Sequence, residues 1–136
     1  MLRIDSHIAP PGTTDTTPGW PLFSTQATRQ LEHDCAAQLP SHTLMQRAGA
    51  AIAQLALAIA PHAQRIWIAC GPGNNGGDGF EAAAQLKTLH PYAQIWVSET
   101  RDPAQLPADA QASRQRAQAA GVQWAEQPPA DMQAQD

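Results

Sequence analysis

The sequence predicts an α/β fold: a Rossmann-like, three-layer αβα domain with a mostly parallel sheet, preceded by an N-terminal helix pair. Three observations carry that prediction. The run Arg65-Ile66-Trp67-Ile68-Ala69-Cys70 is nearly all apolar, as expected of a strand buried on both faces. Two more β-rich runs, Gln94-Ile95-Trp96-Val97 and Val122-Gln123-Trp124, follow at spacings that leave room for one helix each. Between the first two lies Gly71-Pro72-Gly73-Asn74-Asn75-Gly76-Gly77-Asp78-Gly79, which leads into an Ala/Leu-rich helical run. Strand, helix, strand, helix, strand in that order implies parallel pairing through right-handed crossovers.

Taken in order, residues 1–22 carry Pro10-Pro11-Gly12 and Thr17-Pro18-Gly19-Trp20-Pro21. Such a composition cannot repay the entropy of ordering, so the expectation is a flexible arm over 1–22 and a domain over 23–136. Trp20 and Phe23 are candidate anchors for the arm, and His7 is expected to be solvated. Ser24 is placed as the N-cap of a first helix over about 25–38, with Ala27, Leu31, Cys35 and Leu39 as its buried stripe. Pro40 and Ser41 break the chain, and Thr43 with Gln46 fits a capping box for a second helix. That helix shows Leu44, Ala48, Ala51, Ile52, Leu55 and Ile59 on one face, while Gly49 and its alanines permit a close neighbour.

After the glycine-rich stretch a third helix should turn Ala82, Ala83, Leu86 and Leu89 inward and stop at His90-Pro91. Residues 100–107 read as a loop and 109–120 as a surface helix closed by Gly121. The final residues are loop-like, and three short strands leave a sheet edge to cover, so the domain is expected to be incomplete at its C-terminus.

A length of 136 residues suits one domain, and 43% hydrophobic with 15% charged residues suits a globular one. The net charge of −4, with Lys87 the only lysine, offers no field for nucleic acid or anionic lipid. No apolar run approaches the ~20 residues of a membrane span, and the N-terminus lacks a secretory signal pattern. A cytoplasmic protein without nucleic-acid or membrane partners is expected. Cys35 and Cys70 read as two reduced core thiols, and the five histidines lack zinc-ligand spacing. Trp67 and Trp96 are expected in the core rather than as stacking platforms.

The glycine-rich stretch is the principal functional clue. Five glycines in nine positions permit positive φ and let a ligand approach without meeting a Cβ. Gly71, Gly73 and Gly76 meet G-x-G-x-x-G, a weak signal, and no Gly-Lys-Ser/Thr follows to make a Walker loop. The specific string is Gly73-Asn74-Asn75-Gly76-Gly77-Asp78-Gly79 after an apolar strand, with Leu44-Met45-Gln46-Arg47-Ala48-Gly49 upstream.

Together these segments resemble the YjeF N-terminal-like family, the NAD(P)H-hydrate epimerases. The resemblance covers roughly residues 23–136. It implies interconversion of the R and S epimers of hydrated NADH or NADPH, within a protein often fused to an ADP- or ATP-dependent dehydratase. Carried over by position, Asn74, Asn75, Gly76, Gly77 and Asp78 contact that small-molecule substrate, and Asn75 is a ligand of a potassium ion. Asp78 has two readings, a ribose contact or a cap of the following helix. Ala84 or Gln85 stands where the family often has a helix-surface arginine. The family's further strand, second glycine-rich loop and catalytic aspartate have no counterpart here, so the catalytic residue is left unassigned and the fragment alone is expected to be inactive or nearly so. An exposed unfinished sheet would also favour homo-oligomers. Two rival readings stand: a non-catalytic nucleotide-binding or scaffold module of the same fold, and a generic NAD-dependent oxidoreductase with Glu99 as its ribose carboxylate.

Overall fold

The computed structural model describes residues 23–100 and 102–132. The expected arm over 1–22, with His7 and Trp20, lies outside them. Contacts divide the chain into two units, residues 1–40 and 41–136.

The first unit contains α1 (Thr25–Ala36). Ser24 caps it as expected, its Oγ accepting from the Ala27 N–H at 3.2 Å. The expected stripe is not buried: no residue of α1 is, Leu31 is 55% exposed, and Cys35 is a free, exposed thiol. Among the described residues its unit contains no second element against which an amphipathic helix can bury a face.

The second unit runs α2 (Thr43–Ile59), β1 (Arg65–Cys70), α3 (Asn74–Leu89), β2 (Gln94–Glu99), a 3-10 turn (Pro103–Gln105), α4 (Ala108–Ala119) and β3 (Gln123–Trp124). The strands lie in the order β1-β2-β3 and both pairings are parallel, with Ile68 opposite Val97 and Val97 opposite Trp124. The expected α/β class with helical crossovers is what the chain forms. Phe80, Leu86, Ile95, Val97, Leu106 and Val122 are the large members of a core otherwise rich in alanine, and Phe80 meets the Trp124 ring at 5.8 Å. β1 is less covered than expected. Ile66, Trp67 and Ile68 are half-buried and Ala69 is exposed, because β1 is an edge strand of the described sheet. Trp67 and Trp96 are half-buried, and Trp67 Nε1 donates to Ser98 Oγ at 2.8 Å. Leu89, expected inward, is 52% exposed in the last turn of α3.

α2 differs from the sequence expectation twice. Its N-cap is His42, in the left-handed region at φ 68° and without a side-chain cap bond, so the Thr43/Gln46 capping box does not start the helix. Its buried face is Met45, Gly49 and Ala53, whereas Ile52, Leu55 and Ile59 are 45%, 60% and 75% exposed. Two stripes compete on this helix, and the one with less bulk wins because it permits closer approach to α3. A Cβ on Gly49 would lie 2.4 Å from Glu81 Cβ, and one on Gly77 would lie 2.6 Å from Met45 Cε. Each helix thus lays a long side chain over a glycine of the other, at four-residue spacing on both.

α4 packs on α3 through Ala110, Ser113 and Ala117, all buried. Glu81 ties the two helices together although its side chain is only 2% exposed. Its Oε2 accepts from Arg116 Nε at 2.7 Å, its Oε1 from Gln85 Nε2 at 3.3 Å, and Arg116 also donates to Ser113 Oγ. Ala84 is buried and Gln85 half-buried, so the position expected on the helix surface lies partly inside. Among the described residues no helix is long and apolar enough to cross a membrane.

Candidate functional site

β1 delivers the chain to Cys70, and only Gly71, Pro72 and Gly73 separate it from α3. Most of the glycine-rich stretch is therefore helix rather than loop. None of its glycines has positive φ, a conformation that only Gly121 adopts among the described glycines. Close approach, not backbone handedness, is what requires glycine here. At Gly76 a Cβ would stand 1.9 Å from the Gly71 carbonyl oxygen, so the first turn of α3 rests directly on the backbone that leaves β1.

The N-cap of α3 is Gly73, whose missing side chain leaves the helix start uncapped. The first N–H closed within the helix is that of Gly77, which donates to Gly73 O at 3.2 Å. The N–H groups of Asn74, Asn75 and Gly76 precede it and have no intrahelical acceptor, so the positive end of the helix is turned to this place. An open cleft of about 460 Å³ lies there, lined by Ala69, Gly71, Pro72, Gly73, Asn74, Asn75 and Gly76.

The five residues expected to bind substrate divide between this cleft and the packing behind it. Asn74 and Asn75 are exposed on its wall, and Gly76, although buried, completes that wall. Gly77 is buried behind them, with Met45 of α2 and Ala110 of α4 against it. Asp78 is half-buried and outside the lining. Its reading as a helix cap does not hold, because α3 begins at Asn74 and Asp78 stands in its second turn. No lining residue has a titratable side chain, so the cleft offers amides, N–H groups and carbonyls but no acid or base of its own.

Two carboxylates near this end of the sheet have protein partners that the sequence did not reveal. Glu99, at the end of β2, takes both Nε and NH2 of Arg114, at 2.7 and 2.9 Å. Arg114 also lies 4.6 Å from the Trp124 ring centroid, and the Glu99 hydrogen bond holds its guanidinium above its ordinary pKa. Both oxygens of Glu99 are thereby engaged, which removes the feature that favoured a generic dehydrogenase. Asp109, in the first turn of α4, bonds His42 at 2.7 Å. Cys70 beside the cleft is a core thiol as expected, with burial first and the Glu99 charge second pushing its pKa up to about 12.

A profile of the family described as YjeF-related protein N-terminus matches residues 41–136, from the residue before His42 through the cleft and beyond. The chain belongs to this family. Helix α1 lies outside the match. Among relatives, an NAD(P)H-hydrate epimerase of Rhodopirellula baltica is 36% identical over 85 residues, covering 62% of this chain and 34% of that protein. A bifunctional NAD(P)H-hydrate repair enzyme Nnr of Pyrobaculum aerophilum is 50% identical over 48 residues, 35% of this chain and 10% of that protein. The chain therefore spans a tenth to a third of the length of these relatives. The crystal structure of the yeast protein YNL200c superposes with a TM-score of 0.63 at 18% identity, over 77% of this chain and 46% of that one, which shows a shared fold.

Proposed function

We propose that this YjeF-related domain binds hydrated NADH or NADPH and serves its epimerisation in nicotinamide-nucleotide repair. The observation that carries this is the uncapped first turn of α3, where Asn74, Asn75 and Gly76 face an open cleft at the end of a parallel strand. Three N–H groups without helical acceptors suit pyrophosphate, and the two amides suit ribose or ring substituents. The names of the relatives supply the substrate. Asp78, further along α3, serves a ribose contact or the neighbouring packing rather than the pyrophosphate, which its charge would repel.

The donor set also fits a monovalent cation. Asn75 offers an amide oxygen, and no residue of the lining carries a charged side chain. A potassium ion held there, with Asn75 as a ligand, would neutralise substrate charge and orient the bound nucleotide.

Epimerisation needs the hydroxyl to leave and return on the opposite face, or the ring to open and reclose. Either route calls for an acid or base within hydrogen-bond reach of the substrate. No lining residue supplies one, so this chain provides the cradle, and residues 1–136 alone should epimerise little or not at all. In a longer product the domain would work beside a dehydratase, as one soluble cytoplasmic repair protein that meets neither nucleic acid nor membrane.

The test is an R/S-hydrate interconversion assay with and without potassium, run on this chain and on the longest product of its reading frame. Potassium-dependent interconversion by the longer product, lost in Asn75→Ala, is the expected result. Full activity of the chain alone would overturn the assignment of chemistry elsewhere, and an inactive longer product would overturn the epimerase reading.

A further inference from the structure

One short polar contact that the proposed function does not use joins His42 and Asp109, at 2.7 Å. We infer that these two residues form a positioning pair that holds the first turn of α3, and with it Asn74, Asn75 and Gly76, in its binding geometry. The consequence for ligand binding rests on the reading proposed above.

His42 is the one described non-glycine residue with positive φ. A left-handed histidine is sterically costly and persists only where its surroundings hold it. What holds it is Asp109, whose Oδ1 lies 2.7 Å from Nδ1. An ionised carboxylate can only accept, so the hydrogen sits on Nδ1 and the ring is oriented by α4. Each partner stands at the start of a helix, and each helix then presses on the same residue. Three positions after His42, Met45 reaches the place where a Gly77 Cβ would be, at 2.6 Å. One position after Asp109, the Cα of Ala110 stands 2.9 Å from that same place. Gly77 in turn makes the first hydrogen bond of α3, to Gly73. The pair therefore closes a clasp with Met45 as one jaw, Ala110 as the other, and the first turn of α3 between them.

Neither His42 nor Asp109 lines the cleft, so their role is positioning and not contact with ligand. Their side chains are 33% and 53% exposed, and exposed pairs add little to global stability. A left-handed N-cap and a long-range bond are more than starting a helix requires, and geometry is what they secure.

His42→Gly separates the two roles, since glycine keeps the left-handed backbone and loses the ring. Asp109→Ala removes the other partner. Amide hydrogen exchange on the full 136-residue chain, free of ligand, should show Gly77 exchanging about tenfold faster in both variants, the scale expected from one lost hydrogen bond. Val97 in β2 should be unchanged and so report an intact fold. His42→Asn, which tolerates the left-handed region and carries an amide N–H, should restore protection. In parallel, affinity for NADPH as probe should fall about fivefold in His42→Gly. Unchanged Gly77 exchange in both variants overturns the inference. Faster exchange in a chain whose wild type does not bind NADPH supports the pair and counts against the ligand reading instead.

Discussion

Arg116→Ala tests whether the α3–α4 interface depends on the charge pair within it. Glu81 is 2% exposed in its side chain, and the substitution removes both guanidinium contacts to its Oε2, leaving Gln85 at 3.3 Å from Oε1. Stranding a buried charge in this way costs about 3–5 kcal/mol. Arg116 itself is 31% exposed, so water can follow into the vacated space, and the expected loss is about 2–4 kcal/mol. For a unit of this size that corresponds to a fall in Tm on the order of 10–20 °C. Urea and thermal unfolding followed by circular dichroism measure it. The paired replacement Glu81→Met with Arg116→Met should lie within about 2 kcal/mol of the parent or above it, because an apolar pair of similar volume has no charge to desolvate. A loss below about 0.5 kcal/mol in Arg116→Ala, or a double variant no better than the single, would refute the reasoning.

Other outcomes follow from the same packing. Gly49→Ala gains about 1 kcal/mol in helix propensity, but its Cβ meets Glu81 Cβ at 2.4 Å and the Ala82 backbone nitrogen at 2.9 Å. Overpacking of about 1–3 kcal/mol should win, and a higher Cm in urea would contradict the close helix approach. Gly76→Ala, with a Cβ at 1.9 Å from the Gly71 carbonyl, should displace the first turn of α3 and abolish nucleotide binding in calorimetry; retained affinity would place the ligand elsewhere. A thiol reagent at neutral pH should modify Cys35 alone in the native chain, with Cys70 reacting only on unfolding. Cys70 keeps its proton to about pH 12 when native and releases it near 9 when unfolded. Its contribution is intact below pH 9 and is lost between 9 and 12, at up to about 1.4 kcal/mol per pH unit. Stability should therefore fall over that window, and Cys70→Ala should remove this part of the fall.

The order of elements along the chain, the parallel pairing of the strands and the place of the cleft were legible because they depend on local pattern: an apolar run, a glycine-rich turn and a helical period. What the pattern could not rank was two faces of one helix. Ile52, Leu55 and Ile59 outweigh Met45, Gly49 and Ala53 on any hydrophobicity scale. Yet the latter face the interior, because α3 presents Gly77 where α2 presents Met45, and one turn on α2 presents Gly49 where α3 presents Glu81. Complementarity of that kind is a property of two helices together. The start of α3 was hidden for a related reason. Gly76 and Gly77 read as loop residues by propensity but serve as helical residues under crowding. Long-range polar pairs, His42 with Asp109 and Arg116 with Glu81, join positions 67 and 35 residues apart and leave no local signature.

The alanine-rich core has a thermal consequence. Among the described residues, six of the thirteen in the buried cluster are alanine, and an alanine contributes little apolar area when the chain opens. The heat-capacity increment of unfolding scales with that area and should sit low for a chain of this length. A small increment flattens the dependence of stability on temperature. The domain would then lose little stability on cooling, and its heat transition should be governed more by the entropy of the freed backbone than by the exposure of oily side chains.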